Sequence, residues 1–407
     1  MAVSTRTQER LKIRDYKLNA LLDITKAINA NLPVSGLLEK YQLVLRENLG
    51  IEKLILFTKE GAWKSVLHFG FDASVLPEFQ DETFFQKKNE VTLNAGPRNE
   101  SFDLNIPVFQ DDLPIAYVLV GDIGEQIIGM SPAIKHIRFI ETLTNVLVVA
   151  IQNRKLQEAS LAQERTRKEL ELAAEMQNIL LPTSLPKNEY YEVSAVYRAH
   201  QQVGGDYYDF LELNEEESMF CMADVSGKGV SAAFLMANFQ AYLRAIFAYK
   251  KTNLKEMVIE LNERVMNSAM GEKYITLFLA TYNRKTRLLL YINCGHNPPV
   301  LADNRGYTQV LKHGTIGLGM FEELPKLSMG EVTLEKDSWI VCFTDGLVET
   351  ENSNNEEFGT DRLEKLVLAN FKKSPADLNH LLLTQCIDFK GEMPFVDDLA
   401  ILSCRFF

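Results

Sequence analysis

No glycine or proline occurs between Pro132 and Pro182. Ser131 suits an N-cap and Pro132 suits a first helical turn, so the segment predicts one helix of about 50 residues, about 75 Å long. Its middle, QEASLAQERTRKE, is so polar that a lone helix has little surface to bury. A chain of 407 residues is therefore expected to fold as separate domains on either side of this helix.

Two interpretations of this helix stay open. In the first, it is half of a parallel coiled coil in a homodimer and transmits a signal. The seam would consist of small and apolar residues, namely Leu156, Ala159, Leu170 and Ala173, interrupted by Gln163 and Thr166. In the second interpretation, the helix is a plain spacer.

The region before the helix has a mixed pattern. Residues 16–31 and 34–48 have apolar side chains at helical spacing, and short strand-like runs follow. These runs are Lys53–Thr58, Trp63–His68 and Ile115–Val120. The layout resembles a GAF domain, which implies a sensory α/β domain over residues 1–130. No motif names its ligand, and an unspecialised dimerisation domain is the alternative.

The region after Pro182 alternates strands with helices. Seven strands are predicted, at 191–197, 206–213, 218–224, 276–283, 287–293, 338–344 and 398–405. Four helices are predicted, at 230–249, 254–269, 360–371 and 376–389. Residues 283–286, Asn-Arg-Lys-Thr, join two of the strands as a hairpin. This order favours an α+β sandwich over residues 183–407, with 131–182 as the helical linker.

Composition indicates which partners and which cellular compartment suit the chain. The net charge of −12 and a pI near 5.2 make nucleic acid an improbable partner. The N-terminus lacks the apolar core of a signal peptide, and the apolar run 146–151 is too short to cross a membrane. The five cysteines form no CxxC pair, which favours reduced, buried thiols in a cytoplasmic protein without membrane insertion.

Four acidic clusters lie at predicted strand ends, most of them beside small residues. They are Gly204-Gly205-Asp206-Tyr207-Tyr208-Asp209, Asp224-Val225-Ser226-Gly227-Lys228-Gly229, Thr344-Asp345-Gly346 and Asp397-Asp398. Glycine lets the backbone turn sharply and approach a ligand closely. Carboxylates repel one another, so a convergent group of them needs cations, and oxygen ligands favour Mg²⁺ or Mn²⁺.

These clusters belong to a longer series of motifs. The series consists of Met176-Gln177 through Leu181-Pro182, Leu185-Pro186, GGDYYDF at 204–210, ADVSGKGVSAA at 223–233, NCGHNPP at 293–299, FTDGLVE at 343–349 and DDLAIL at 397–402. In content and order it closely resembles the PPM-type metal-dependent protein phosphatases, in their bacterial SpoIIE-type branch. The resemblance covers about 230 residues.

The resemblance implies roles for individual residues. Asp224 would bridge two Mn²⁺ or Mg²⁺ ions, with the carbonyl of Val225 as a further ligand. Asp345 and Asp397 would hold the second ion, and Asp206 would hold the first, directly or through water. Asp209 and Asp398 would have a less direct role: they would lie beside these ligands or contact a third ion.

The implied activity is that of a protein serine/threonine phosphatase, a phosphoric monoester hydrolase. A water held by the two ions would attack phosphorus in line, and the seryl or threonyl oxygen would leave. The implied substrate is a phosphorylated regulatory protein, a STAS-type anti-sigma-factor antagonist, with the N-terminal domain as regulator. His296 is expected to be structural, and Lys228 to be a solvated loop lysine.

Other functions are less consistent with the same residues. Gly204-Gly205-Asp206 also resembles the GG(D/E)EF signature of cyclic-dinucleotide synthases, but Tyr207 and Tyr208 follow and the later Asp clusters would be unexplained. SGKGV lacks the spacing of a P-loop. Two non-enzymatic alternatives remain: a scaffold with this fold, and an adaptor whose N-terminal domain does the main work. Metal-dependent turnover would distinguish an enzyme from a scaffold.

Overall fold

Two helices open the chain in the computed structural model, which describes residues 2–70, 91–95, 102–110, 113–121, 132–249, 253–269 and 271–407. Helix α1 spans Ala2–Asn29 and so begins well before the predicted residue 16, because its polar N-terminal part is rich in good helix formers. Helix α2 spans Val34–Leu43 and continues as one π-helical turn, Val44–Asn48. Pro33 separates the two helices, as the sequence predicts.

A five-stranded antiparallel sheet follows in the order β2-β1-β5-β4-β3. Its strands are β1 (Lys53–Glu60), β2 (Ala62–Phe69), β3 (Thr92–Ala95), β4 (Phe102–Gln110) and β5 (Leu113–Gly121). The predicted runs correspond to β1, β2 and β5, whereas β3 and β4 were missed. One face of the sheet packs its alternate side chains, such as Leu54 and Val118, with the helices in one core.

The long helix α3 spans Pro132–Asn178, so the prediction of a single uninterrupted helix is confirmed; Ser131 and the domain boundary at 130 lie outside the described residues. The chain divides into two compact units within α3, residues 1–164 and 165–407. In the first unit, Ile140, Leu143 and Leu147 are buried against the sheet, and the hydroxyls of Tyr41 and Thr144 share a buried 2.6 Å hydrogen bond.

The second unit is a sandwich of two sheets. The first has the order β13-β10-β9-β8-β7, with β14 beside β10, and the second has the order β12-β11-β15-β16-β6. The strands are β6 (Tyr191–Arg198), β7 (Tyr207–Glu212), β8 (Glu217–Val225), β9 (Ile275–Asn283), β10 (Leu288–Cys294), β11 (Val300–Ala302), β12 (Thr308–Val310), β13 (Gly314–Thr315), β14 (Gly330–Thr333), β15 (Ser338–Phe343) and β16 (Leu399–Phe406).

Helices cover both outer faces of the sandwich. They are α4 (Val230–Tyr249), α5 (Leu254–Ala269), the short α6 (Asp345–Val348), α7 (Thr360–Ala369) and α8 (Pro375–Lys390). All seven predicted strands, all four predicted helices and the β9–β10 hairpin are confirmed. The α+β architecture follows from strict alternation: on β15, Ile340 and Cys342 face the other sheet, while Trp339 and Val341 face α7 and α8.

Helix α4 is apolar and long enough to span a membrane, the one such helix in the described part of the chain. Leu235, Met236, Phe239 and Leu243 on it are nonetheless buried within the core of the sandwich. A helix that packs in this way has the apolar surface of a core helix.

Phe406, at the end of the last strand, closes the core between the two sheets. It is fully buried, and its ring lies 4.5 Å from that of Tyr282 and 6.1 Å from that of Phe220. We expect Phe406→Ala to lower the free energy of unfolding of this unit by about 3–5 kcal/mol, since it removes a large buried side chain and leaves a cavity.

Urea denaturation measures this loss in a Trp63→Phe background, where fluorescence comes from Trp339 in the second unit alone. Phe321→Ala is the matched control, because Phe321 is 60% exposed, and we expect a change below about 0.5 kcal/mol. Equal losses in the two variants would contradict this assignment of the core.

Candidate functional site

The loop that leads into β7 carries Asp206 behind two glycines. A Cβ atom on Gly204 would collide with the hydroxyl of Tyr197 and the carboxylate of Asp398. A Cβ atom on Gly205 would lie 3.0 Å from the carbonyl oxygen of Val225. Glycine is therefore required here for close backbone approach. The carboxylate of Asp206 is buried and accepts a 2.8 Å hydrogen bond from Thr344 Oγ1.

Asp224 and Val225 are the last residues of β8. The carboxylates of Asp224 and Asp206 lie close enough to affect each other's pKa, so the first two clusters meet. The loop that follows turns through Gly227 and Gly229, whose φ angles of 83° and 75° lie in the left-handed region that glycine favours.

Asp345, Asp397 and Asp398 come from the neighbouring strands β15 and β16. Asp345 begins α6 directly after β15, and Asp397 and Asp398 precede β16. Asp398 accepts hydrogen bonds from the backbone N–H of Gly205 at 2.6 Å and of His200 at 2.7 Å. The third and fourth clusters therefore lie beside the first two.

The electrostatics of the cluster follow from burial and like charge. Burial, and then repulsion from Asp345, Asp397 and Asp398, raises the pKa of Asp224 to about 7. Burial, Asp397 and Glu349 raise the pKa of Asp345 to about 6.

The pKa values of two further carboxyls are raised in the same direction. Burial, Asp224 and Asp398 raise the pKa of Asp206 well above its usual range, and burial chiefly raises that of Asp398. These carboxyls repel one another and have lost much of their contact with water.

The donor set fits divalent cations. Most of the side chains in the cluster are carboxylates, the ligands of Mg²⁺ and Mn²⁺, and Gly205 leaves room at the carbonyl of Val225. In the described ranges, no three His, Cys, Asp or Glu side chains meet at ligand distance as they stand. Cation binding would therefore draw these neighbouring carboxylates together.

Asp209 does not join this cluster. Its Oδ2 atom accepts hydrogen bonds from Arg244 Nε at 2.8 Å and from the Tyr207 hydroxyl at 2.5 Å. Asp209 is fully buried, and Arg244 lies on α4. This carboxylate therefore joins a helix to β7, apart from the other acidic side chains.

His296 lies close to the cluster but is held in a structural role. Its backbone N–H donates to Asn293 Oδ1 at 2.8 Å, and its Nδ1 lies 2.8 Å from Thr276 Oγ1. Burial lowers the pKa of His296 to about 3, so the imidazole is neutral at pH 7. A neutral, enclosed ring is a poor source of protons, which agrees with the structural interpretation.

Sequence reasoning missed the polar groups that hold the ends of the cluster. Thr344 donates to Asp206, and the buried amide of Gln177, near the end of α3, clamps Gly204. Gln177 Nε2 donates to the Gly204 carbonyl at 2.5 Å, and the Gly204 N–H donates to Gln177 Oε1 at 3.1 Å. The Met176-Gln177 motif was a signal for this contact, but spacing alone does not show where its amide points.

The raised pKa values predict a pH-dependent stability in EDTA. Between about pH 4 and pH 7 the folded protein keeps protons on Asp224 and Asp345 that the unfolded chain has released. The free energy of unfolding should therefore fall as the pH rises through this window. Asp224→Asn removes one of these groups, so its urea-denaturation curve against pH should be shallower. Parallel curves for wild type and variant would contradict the shifts.

A family model and several known proteins are similar to this chain. Residues 214–407 match the family model described as Stage II sporulation protein E (SpoIIE). Phosphoserine phosphatase RsbU of Bacillus subtilis is 29% identical over 197 residues, which cover 47% of this chain and 57% of that protein.

Two further curated relatives are similar over comparable lengths. Protein IcfG of Synechocystis sp. is 26% identical over 263 residues, covering 58% of this chain and 41% of IcfG. Phosphoserine phosphatase RsbP of Bacillus subtilis is 27% identical over 189 residues, covering 45% of this chain and 46% of RsbP. The chain thus spans about half the length of the curated relatives it matches.

A solved structure shows the fold. The SiaA-PP2C domain of Pseudomonas aeruginosa superposes with a TM-score of 0.54 at 22% identity, over 60% of this chain and 99% of that domain. The C-terminal part of the chain therefore has a PP2C-type α+β fold, and residues 214–407 are similar to the SpoIIE family.

Proposed function

We propose that the chain is a divalent-metal-dependent protein serine/threonine phosphatase. One observation carries the proposal: Asp206, Asp224, Asp345 and Asp397, from four segments far apart in the sequence, form one partly buried carboxylate cluster. Mutual repulsion destabilises such a group unless cations offset its charge. The names of RsbU and RsbP, both phosphoserine phosphatases, support the same activity.

The proposed ligands follow the sequence prediction. Asp224 would bridge two Mn²⁺ or Mg²⁺ ions beside the Val225 carbonyl, Asp206 would hold the first ion, and Asp345 and Asp397 the second. Bound ions supply Lewis acidity at the phosphoryl group and lower the pKa of bound water; a third ion stays a further possibility of the resemblance.

The chain's own residues orient the ligands. Thr344 fixes one oxygen of Asp206 through its hydroxyl. Both carboxylate oxygens of Asp398 accept hydrogen bonds, from the backbone N–H groups of His200 and Gly205, and these bonds fix the loop before Asp206. We assign Thr344 and Asp398 to positioning.

The reaction is hydrolysis at phosphorus. The oxygen of a water forms a bond to phosphorus, the bond to the seryl or threonyl oxygen breaks, and that oxygen leaves with a proton. A cysteinyl phosphoenzyme has no support, because the five thiols are all buried and burial raises the pKa of Cys221, Cys342 and Cys404.

Phosphate release from a small aryl phosphate tests this function. We expect turnover that needs Mn²⁺ and falls at least about a hundredfold in Asp224→Ala, since a bound cation supplies several kcal/mol of charge stabilisation. Asp361→Ala, an exposed acidic residue on α7, is the control and should keep wild-type turnover. Metal-independent turnover, or turnover unaffected by Asp224→Ala, would refute the proposal.

The proposed substrate is a phosphoserine or phosphothreonine on a regulatory protein. By resemblance to the SpoIIE-type branch, this would be a STAS-type anti-sigma-factor antagonist. The acidic chain and its five free, buried cysteines support a cytoplasmic protein that acts on protein and not on nucleic acid.

The proposed regulator is the N-terminal unit, interpreted as a GAF-like domain with an unidentified ligand or partner. Side chains in the middle of α3 are exposed all round, including Leu156 at 70% and Leu161 at 51%. Exposed leucines on a long polar helix support the proposal of a parallel coiled-coil homodimer.

The Gln177 amide is the proposed link between helix and site. Its two hydrogen bonds hold Gly204, two residues before Asp206, so movement of the end of α3 would shift a ligand. Leu181, four residues further along, is buried in the core of the same unit, and Leu180 packs against it.

We expect Gln177→Ala to lower kcat about tenfold and to raise the Mn²⁺ concentration needed for half activity, because the buried N–H and C=O of Gly204 lose their partners. Titration of aryl phosphatase activity with Mn²⁺ measures both effects. Gln163→Ala, on the exposed middle of α3, is the matched control. A Gln177→Ala variant with the wild-type profile would show that the helix end does not set the position of Asp206.

A further inference from the structure

The loop between β8 and α4 places a lysine against the acidic cluster. Lys228 stands between Gly227 and Gly229, whose left-handed backbone turns the loop back toward β16. Its Nζ atom lies 2.8 Å from Asp397 Oδ2 and also donates to the carbonyl of Val396. A solvated loop lysine is predicted here; the Lys228 side chain is partly exposed, and its ammonium group also pairs with a proposed metal ligand.

Both oxygens of Asp397 are engaged in this arrangement. Oδ2 faces Lys228, and Oδ1 accepts a 2.8 Å hydrogen bond from the backbone N–H of Asp398. The charge of Lys228 also reaches Asp345, where it opposes the larger effects of burial and Asp397 that raise the pKa of that carboxyl. Lys228 therefore acts on both residues proposed for the second ion.

Lys273 provides a contrast on the other side of the same loop. Its Nζ atom donates to the carbonyl of Ser226 at 3.0 Å, so it also holds the loop. Among the ion pairs of the described residues, the cluster carboxylates pair with Lys228 and not with Lys273. The two lysines thus separate an effect of loop support from an effect of charge on Asp397.

We propose that Lys228 is a tethered counter-cation that competes with the second divalent ion for Asp397. The inference rests on the proposed function, because it concerns the same carboxylates. An ion that takes Asp397 Oδ2 must displace the ammonium group, which stays on its loop and repels the ion. Lys228 would therefore weaken binding at the second site and set the ion concentration at which that site fills.

The expected size of the effect comes from Coulomb's law. The Lys228 side chain is 40% exposed and that of Asp397 is 33% exposed, so water screens much of the interaction. Removing one positive charge at this range should strengthen binding of a divalent ion by about tenfold.

The test is a Mn²⁺ titration of the metal-free full chain, with free Mn²⁺ followed by electron paramagnetic resonance. In Lys228→Met we expect the Kd of the weaker Mn²⁺ site to fall about tenfold. Lys228→Arg keeps the charge and should stay close to wild type. Lys273→Met, the matched control at a residue that holds this loop from the segment before β9, should also leave the Kd unchanged.

The outcomes separate this inference from the proposed function. If Lys228→Met binds Mn²⁺ as tightly as wild type does, or more weakly, the counter-cation proposal is wrong. The Mn²⁺-dependent turnover of the wild type would still support the proposed function. A fall of equal size in Lys273→Met overturns the counter-cation proposal as well, because loop support would then be the cause. Wild-type protein that binds no Mn²⁺ overturns both proposals.

Discussion

Repulsion among partly buried carboxylates is the constraint on which the functional end of this molecule depends. Five aspartates come together where strands of both sheets end, and burial with like charge raises the pKa values of four of them: Asp206, Asp224, Asp345 and Asp398. A free energy cost of this kind persists only where the surrounding fold supports it. The sandwich supplies that support through its two large cores.

The support is made of short, specific contacts. Gly204, Gly205 and Gly346 allow close approaches that a side chain would hinder; a Cβ atom added at Gly346, for example, would collide with the Asp398 carbonyl. Thr344 and Asp398 then hold the loops with hydrogen bonds. In the proposal above, Lys228 and divalent cations are alternative ways to offset the same negative charge. Cation binding therefore depends on the charges around the cluster as well as on its shape.

Much of the second unit could be predicted from sequence because its strands alternate and its turns carry clear signals. The short strands β11 to β14 were missed, since two to four residues are too few to show a period. In the first unit, β4 was missed although Leu104, Ile106 and Val108 alternate, because Asn105 and Pro107 between them read as turn residues. The sequence predicts Asp206, Asp224, Asp345 and Asp397 as one group, with Asp209 and Asp398 beside them. Asp209 shares the first motif but bonds Arg244, a tertiary contact that spacing cannot reveal.

In the proposed function, the carboxylate cluster holds a pair of divalent ions. Anomalous diffraction from crystals grown with Mn²⁺ tests it most directly, since it locates manganese without reference to activity. We expect two manganese peaks about 3.5–4 Å apart, with Asp224 between them and Asp206, Asp345 and Asp397 around them. Manganese bound elsewhere, with these carboxylates free of metal, would contradict this expectation.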